Sequence, residues 1–136
     1  MKTRFYLVAA IAAFSLVVMN SCSNPELIIE AEVQAANIRC PQDMGNGLTL
    51  TRVENDARYI IYYYKGDDMI YSFSQDLVTD AQKEQIINTL QTQANSIPDV
   101  KKFIKALKEA DKGITYHYFT SSSSMDIIVK PNELRY

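Results

Sequence analysis

The chain of 136 residues has no tryptophan, one histidine, two cysteines and four glycines, and each shortage excludes something. One histidine and two cysteines, Cys22 and Cys40, are too few for a zinc site without carboxylates, and no run of alternating oxygen ligands suggests a calcium loop. "KGDDM" at 65–69 reads as a solvated turn. Two cysteines also give no disulfide framework. The paired glycines in "GNG" at 45–47 precede a strand pattern and not a helix, so they form no phosphate-cradling loop. Basic residues are not in excess, with 14 Lys and Arg against 16 Asp and Glu, which argues against nucleic acid as a partner. No solenoid-type repeat is present, and the only low-complexity segment is Ser121 to Ser124.

What the chain does have is a leader. Met1-Lys2-Thr3-Arg4 is a short positive segment, and Phe5 to Met19 is apolar apart from Ser15. About fifteen residues suit the apolar region of a signal peptide, since a spanning helix needs roughly 20. The stretch ends at Met19-Asn20-Ser21-Cys22, which resembles the lipobox of bacterial lipoprotein precursors. Ser21 matches the small position before the cysteine, while Met19 and Asn20 depart from the commonest residues. The resemblance implies cleavage before Cys22, acylation of that residue, and export to the cell envelope with anchoring at the outer membrane. Two or three acyl chains hold a protein far more firmly than one, each buried CH₂ contributing about 0.8 kcal/mol. Removal of residues 1–21 takes Lys2 and Arg4 away and leaves a mildly acidic mature chain. With Cys22 acylated, Cys40 is the one remaining thiol.

The mature chain reads as residues 22–37, a lipidated N-terminus with a leading helix, followed by one α+β domain over 38–136. Asn24-Pro25-Glu26 has the capping residue, first-turn proline and acidic residue of a helix start. Leu48 to Glu54 and Arg58 to Tyr64 read as strands, the second β-branched and aromatic on both faces, and "MIYSF" as a short third segment. Thr79 with Gln82 forms a capping-box pattern before a helix with an Ile86, Ile87, Leu90 and Ala94 stripe. Pro98 restarts a helix with Val100, Phe103, Ile104 and Leu107 facing inward, and Gly113 stands where a C-terminal cap belongs. Ile114 to Thr120 and Met125 to Lys130 flank the serine turn as a hairpin. The expected fold is an antiparallel sheet of about four strands with two helices on one face and a helix in front. This order resembles small lipoprotein domains and cystatin-like inhibitors, for which "RCPQDMGNG" and "TSSSSM" are the candidate inhibitory loops.

Cys40 and His117 are the one candidate nucleophile–base pair, though no flanking oxyanion-hole pattern surrounds them and a proline follows the cysteine. The expectation is therefore a noncatalytic chain with no cofactor. The tyrosines are the distinctive feature: Tyr59, Tyr62, Tyr63, Tyr64, Tyr71, Tyr116 and Tyr118 all fall on strand patterns. Alternation sends Tyr62 and Tyr64 to one face and Tyr63 to the other. An exposed tyrosine face supplies rigid contact area at low entropic cost, suited to a protein or glycan partner. Tyr63, Tyr59 and His117 are the candidate binding residues, with Tyr62 and Tyr64 assigned to the core.

Overall fold

The computed structural model describes residues 24–136; the leader, the lipobox-like segment and Cys22 lie outside the described residues. The chain builds a five-stranded mixed sheet with three helices on one face. The elements are α1 (Pro25–Arg39), β1 (Gln42–Gly45), β2 (Leu48–Asn55), β3 (Tyr59–Gly66), α2 (Asp80–Ser96), α3 (Pro98–Glu109), β4 (Gly113–Phe119) and β5 (Ser124–Val129). Strand order follows chain order, and every pairing is antiparallel except β3 with β4, which is parallel. The expected four-stranded antiparallel sheet is thus corrected in two respects. First, α2 and α3 form a crossover between β3 and β4, and a crossover returns the chain parallel, where a tight turn would return it antiparallel. Second, Gln42–Gly45 adds an edge strand within a stretch read as loop, pairing with Leu48 to Leu50 through a tight turn in which Gly45, Asn46 and Gly47 all have positive φ.

The helices form for the local reasons their sequences carry. Asn24 caps α1, its side chain accepting the Glu26 N–H at 2.9 Å, and Thr79 and Gln82 form a reciprocal capping box on α2. The α2 and α3 stripes named above are buried. Helix α1 is part of the same core: Ile28, Ile29, Val33 and Ala36 are buried, and Asn37 bonds both the N–H and the carbonyl of Val53 on β2. The helix expected to lead the domain is therefore packed into its core.

Gly113 does not end α3. Asp111 takes the left-handed position (φ 55°), and the Lys112 and Asp111 N–H groups bond Leu107 and Lys108 carbonyls, closing the helix in a Schellman arrangement. Gly113 instead opens β4, where a Cβ would collide with the Val129 carbonyl and come within 3.0 Å of the Tyr59 ring. Nor does "MIYSF" form a strand. Residues 67–79 cross the end of the sheet, burying Tyr71 and Phe73 as a stacked pair with centroids 5.3 Å apart. Tyr71 thus leaves the set of strand tyrosines, and its hydroxyl donates to the Asn46 carbonyl at 2.6 Å.

A bulge in β2 sets which residues reach each face. Leu48, Leu50 and Val53 must all point toward the helices, yet 50 and 53 differ in parity. The register shifts between Leu50 and Arg52 against β3, so Thr51 is the extra residue; its hydroxyl bonds the Tyr63 carbonyl at 3.1 Å. Arg52 is consequently delivered to the outer face opposite Tyr63.

Candidate functional site

The helix-covered face holds Tyr62 and Tyr64 from β3 and Tyr116 and Tyr118 from β4, all essentially inaccessible. Neighbouring rings stack across the parallel strands, with centroids 5.9 Å apart for Tyr62–Tyr116 and 5.2 Å for Tyr64–Tyr118. The Tyr62 hydroxyl donates to the Glu32 carboxylate of α1 at 3.0 Å. Burial raises the phenol pKa of all four, well above the ordinary range for Tyr62, Tyr64 and Tyr118, and the negative Glu32 adds to the effect at Tyr62.

The opposite face carries no helix. There the structure lines up one row across four strands: Arg52 and Glu54 on β2, Tyr63 on β3, His117 on β4 and Asp126 on β5. The Arg52 guanidinium lies 3.7 Å over the Tyr63 ring and bonds Glu54 at 2.7 Å, while the Tyr63 hydroxyl donates to the same carboxylate at 3.0 Å. His117 meets Tyr63 edge-on, with ring centroids 5.3 Å apart, and its Nδ1 lies 2.6 Å from Asp126 Oδ1. Phe119, two residues along β4, stacks on His117 at 5.6 Å. Hydrogen bonds from Arg52 and then Tyr63 hold the Glu54 carboxyl below its ordinary pKa. Burial, then the bond to Glu54, raises the Tyr63 phenol.

The candidate residues separate as follows. Tyr63 and His117 are in contact at the centre of the row. Tyr59 is on the same face but at the far end of β3, beside Gly113. Cys40 is not brought to His117: the thiol packs against the core on the helix side, near enough to Tyr64 to act on its phenol, whereas His117 is on the outer face. Burial pushes the Cys40 thiol up, away from the thiolate that a nucleophile needs. Among the described residues no group of three His, Cys, Asp or Glu side chains is placed to hold a metal ion.

Sequence reasoning missed Arg52, Glu54 and Asp126. Asp126 was legible in principle, since a strand pair closed by the Ser121–Ser124 turn sets it opposite His117. Arg52 was not, because the bulge that turns it outward shows only as the odd spacing of Leu50 and Val53.

Surface grooves lie along the exposed polar side of α2 between Glu84 and Gln93 and beside the β1–β2 turn. No protein-family model, curated protein or solved structure matches the chain. No helix among the described residues is long and apolar enough to cross a membrane.

Proposed function

We propose that the protein is a lipid-anchored cell-envelope protein, held at the outer membrane through Cys22, whose domain binds a protein partner on the outer sheet face without catalysing a reaction. The lipobox-like leader supports the address. The row Arg52–Tyr63–His117–Asp126 carries the binding reading. Its side chains are already fixed by contacts with one another, so little rotamer entropy is lost when a partner docks. It also pairs an arginine with a tyrosine, two residue types enriched at interface centres.

One geometric detail favours protein over glycan. A sugar ring stacks on the face of an aromatic side chain, and Arg52 occupies one face of Tyr63 while His117 sits against its edge. A flat protein surface can engage Arg52, Tyr63 and Ile128, which is 40% exposed, without displacing any of them. The inhibitor reading gains no such support: one of its loops is folded into β1, and the other is tied by Thr120–Ser123 hydrogen bonds.

The test is a photo-crosslinking residue placed at Ile128 in envelopes from cells fed a labelled fatty acid. Acyl label that is lost in Cys22→Ser, together with a discrete crosslinked species absent when the crosslinker replaces Lys101 on α3, supports both halves. Label without a face-specific crosslink removes the binding role, and no label removes the anchor.

A further inference from the structure

The start of α1 is tied to one end of the sheet. Glu26 approaches Lys112 at 3.7 Å, Lys112 donates to Asn55 at 2.7 Å, and Asn55 donates to Glu30 at 3.0 Å. The same end holds the β2–β3 turn, the first residues of β3 and β4, and the last of β5, with the Gly113 N–H bonded to the Arg58 carbonyl at 3.0 Å. Asn24 is fixed there too, its side chain and carbonyl accepting from Glu26 and Ile28. In the sequence only Ser23 stands between Asn24 and Cys22. Two extended residues reach about 7 Å. An acyl group on Cys22 therefore brings this end of the domain within reach of the headgroup layer.

That end carries a groove of about 430 Å³ lined by Arg58, Tyr59, Asp111, Lys130, Pro131 and Asn132. Of its two cations, Lys130 lies near Glu133, whose carboxylate is itself bonded to Lys83 at 2.8 Å. Neither Arg58 nor Lys130 takes part in a salt bridge among the described residues, whereas nearby acids are engaged: Asp56 accepts the Arg58 N–H at 3.1 Å and Glu26 and Glu30 face Lys112 and Asn55. Tyr59 adds an amphipathic ring, a side chain favoured at the membrane–water boundary.

We infer that this groove seats a zwitterionic phospholipid headgroup, with Arg58 and Lys130 on the phosphate diester and Asp111 on the ammonium. This rests on the anchoring of Cys22 proposed above. It also fixes an orientation: the strands stand away from the membrane, the β1–β2 and β4–β5 turns are distal, and the Tyr63 row faces sideways, open to a partner.

The test uses the acylated chain in phosphatidylethanolamine nanodiscs doped with a headgroup gadolinium chelate, read by backbone amide resonances. Signals from Arg58, Tyr59 and Asn132 are expected to be lost while those of Asn46 and Ser121 persist. In R58Q/K130Q the tether remains but the seat does not, so the losses at Tyr59 and Asn132 should shrink toward those at the far end. D111N, which keeps a residue tolerant of positive φ, should weaken the contrast in the same direction. Loss that is uniform, or greatest at Asn46 and Ser121, or unchanged in R58Q/K130Q, overturns the headgroup site. A mature chain that mass spectrometry shows to carry no acyl group on Cys22 removes the anchor and the proposal with it; an acylated chain with the wrong profile removes the proposal alone.

Discussion

Tyr62 donates its hydroxyl to Glu32 at 3.0 Å inside a core where both side chains are about 1% exposed. A carboxylate so placed is stabilised only through its hydrogen bonds, so the phenol on β3 ties α1 to the sheet. On the ring stacked beside it, the Tyr116 hydroxyl is buried with no hydrogen-bond partner among the described residues. The two hydroxyls should respond oppositely to deletion. Tyr62→Phe is expected to cost about 2 kcal/mol, in the range for hydrogen bonds to charged groups, and Tyr116→Phe to be neutral or mildly stabilising. Urea unfolding of both variants checks this, and equal losses would mean that the two hydroxyls are satisfied alike.

The same four rings predict alkaline lability. Burial raises the phenol pKa of Tyr62, Tyr64, Tyr116 and Tyr118 above the ordinary 10.0. The unfolded chain releases these protons from about pH 10 upward while the folded chain retains them. The unfolded state then binds fewer protons, so stability is full below that pH and falls as pH rises above it. Tyrosinate absorbance should show the four ionising only together with loss of near-ultraviolet circular dichroism. Gradual ionisation of these four rings in a chain that stays folded would contradict the burial.

Helices and central strands were legible because their signals are local. Thr79 and Gln82 cap a helix by their spacing alone, and Tyr59 to Tyr64 reads as a two-sided strand by composition. The parallel pairing of β3 with β4 was encoded differently, in the presence of two helices between the two strands. That signal is one of topology and is outvoted when each strand is matched to its nearest neighbour in sequence. Gln42–Gly45 has almost no strand propensity, and it is extended because the Gly45–Gly47 turn folds it onto Leu50 and Thr49. Met69, Tyr71 and Phe73 alternate as a strand would, but the Tyr71 and Phe73 rings fill the end of the core instead. In the candidate site Tyr63 and His117 could be named from alternation, while their charged partners depended on strand register and on the β2 bulge.

Cys40 should behave as a slow thiol. Burial raises its pKa, and it is half-buried against the core on the face away from His117. Its reaction with a disulfide reagent near neutral pH should be slower than that of free cysteine and unchanged by His117→Ala. Fast labelling lost in that variant would restore the pair as a catalytic candidate. Cys40→Ser should cost roughly 1–2 kcal/mol through lost packing.

Gln75 guards the open edge of β5. Its side-chain amide donates to the Asp126 carbonyl and accepts the Asp126 N–H, both at 2.9 Å, so a side chain replaces the next strand. Gln75→Ala leaves both backbone groups exposed beside Ile128, the kind of edge through which chains pair. The variant is expected to associate as concentration rises, seen by sedimentation, with a small change in melting temperature. A strictly monomeric variant would show that other elements protect the edge.

Tyr63 and Tyr62 are adjacent in sequence and should have opposite phenotypes. Tyr62 is buried, and removing a ring of that size from a core costs about 3–5 kcal/mol, so Tyr62→Ala and Tyr64→Ala should lower the melting temperature sharply. Tyr63 is half-buried and held on the outer face by Arg52, Glu54 and His117, so Tyr63→Ala should leave the fold nearly intact. If that face binds a protein, a ring at the centre of the row is worth about 2 kcal/mol or more, a loss of at least roughly thirtyfold in affinity. Arg52→Ala then separates the partner classes. It removes a contact from a protein interface and weakens capture, but it uncovers a ring face and strengthens stacking of a sugar. Weaker capture in both Tyr63→Ala and Arg52→Ala places a protein on this face; weaker capture in the first with gain in the second places a glycan there. No change in either variant makes the row a shield for the sheet, its charges serving only to keep the aromatic face in water.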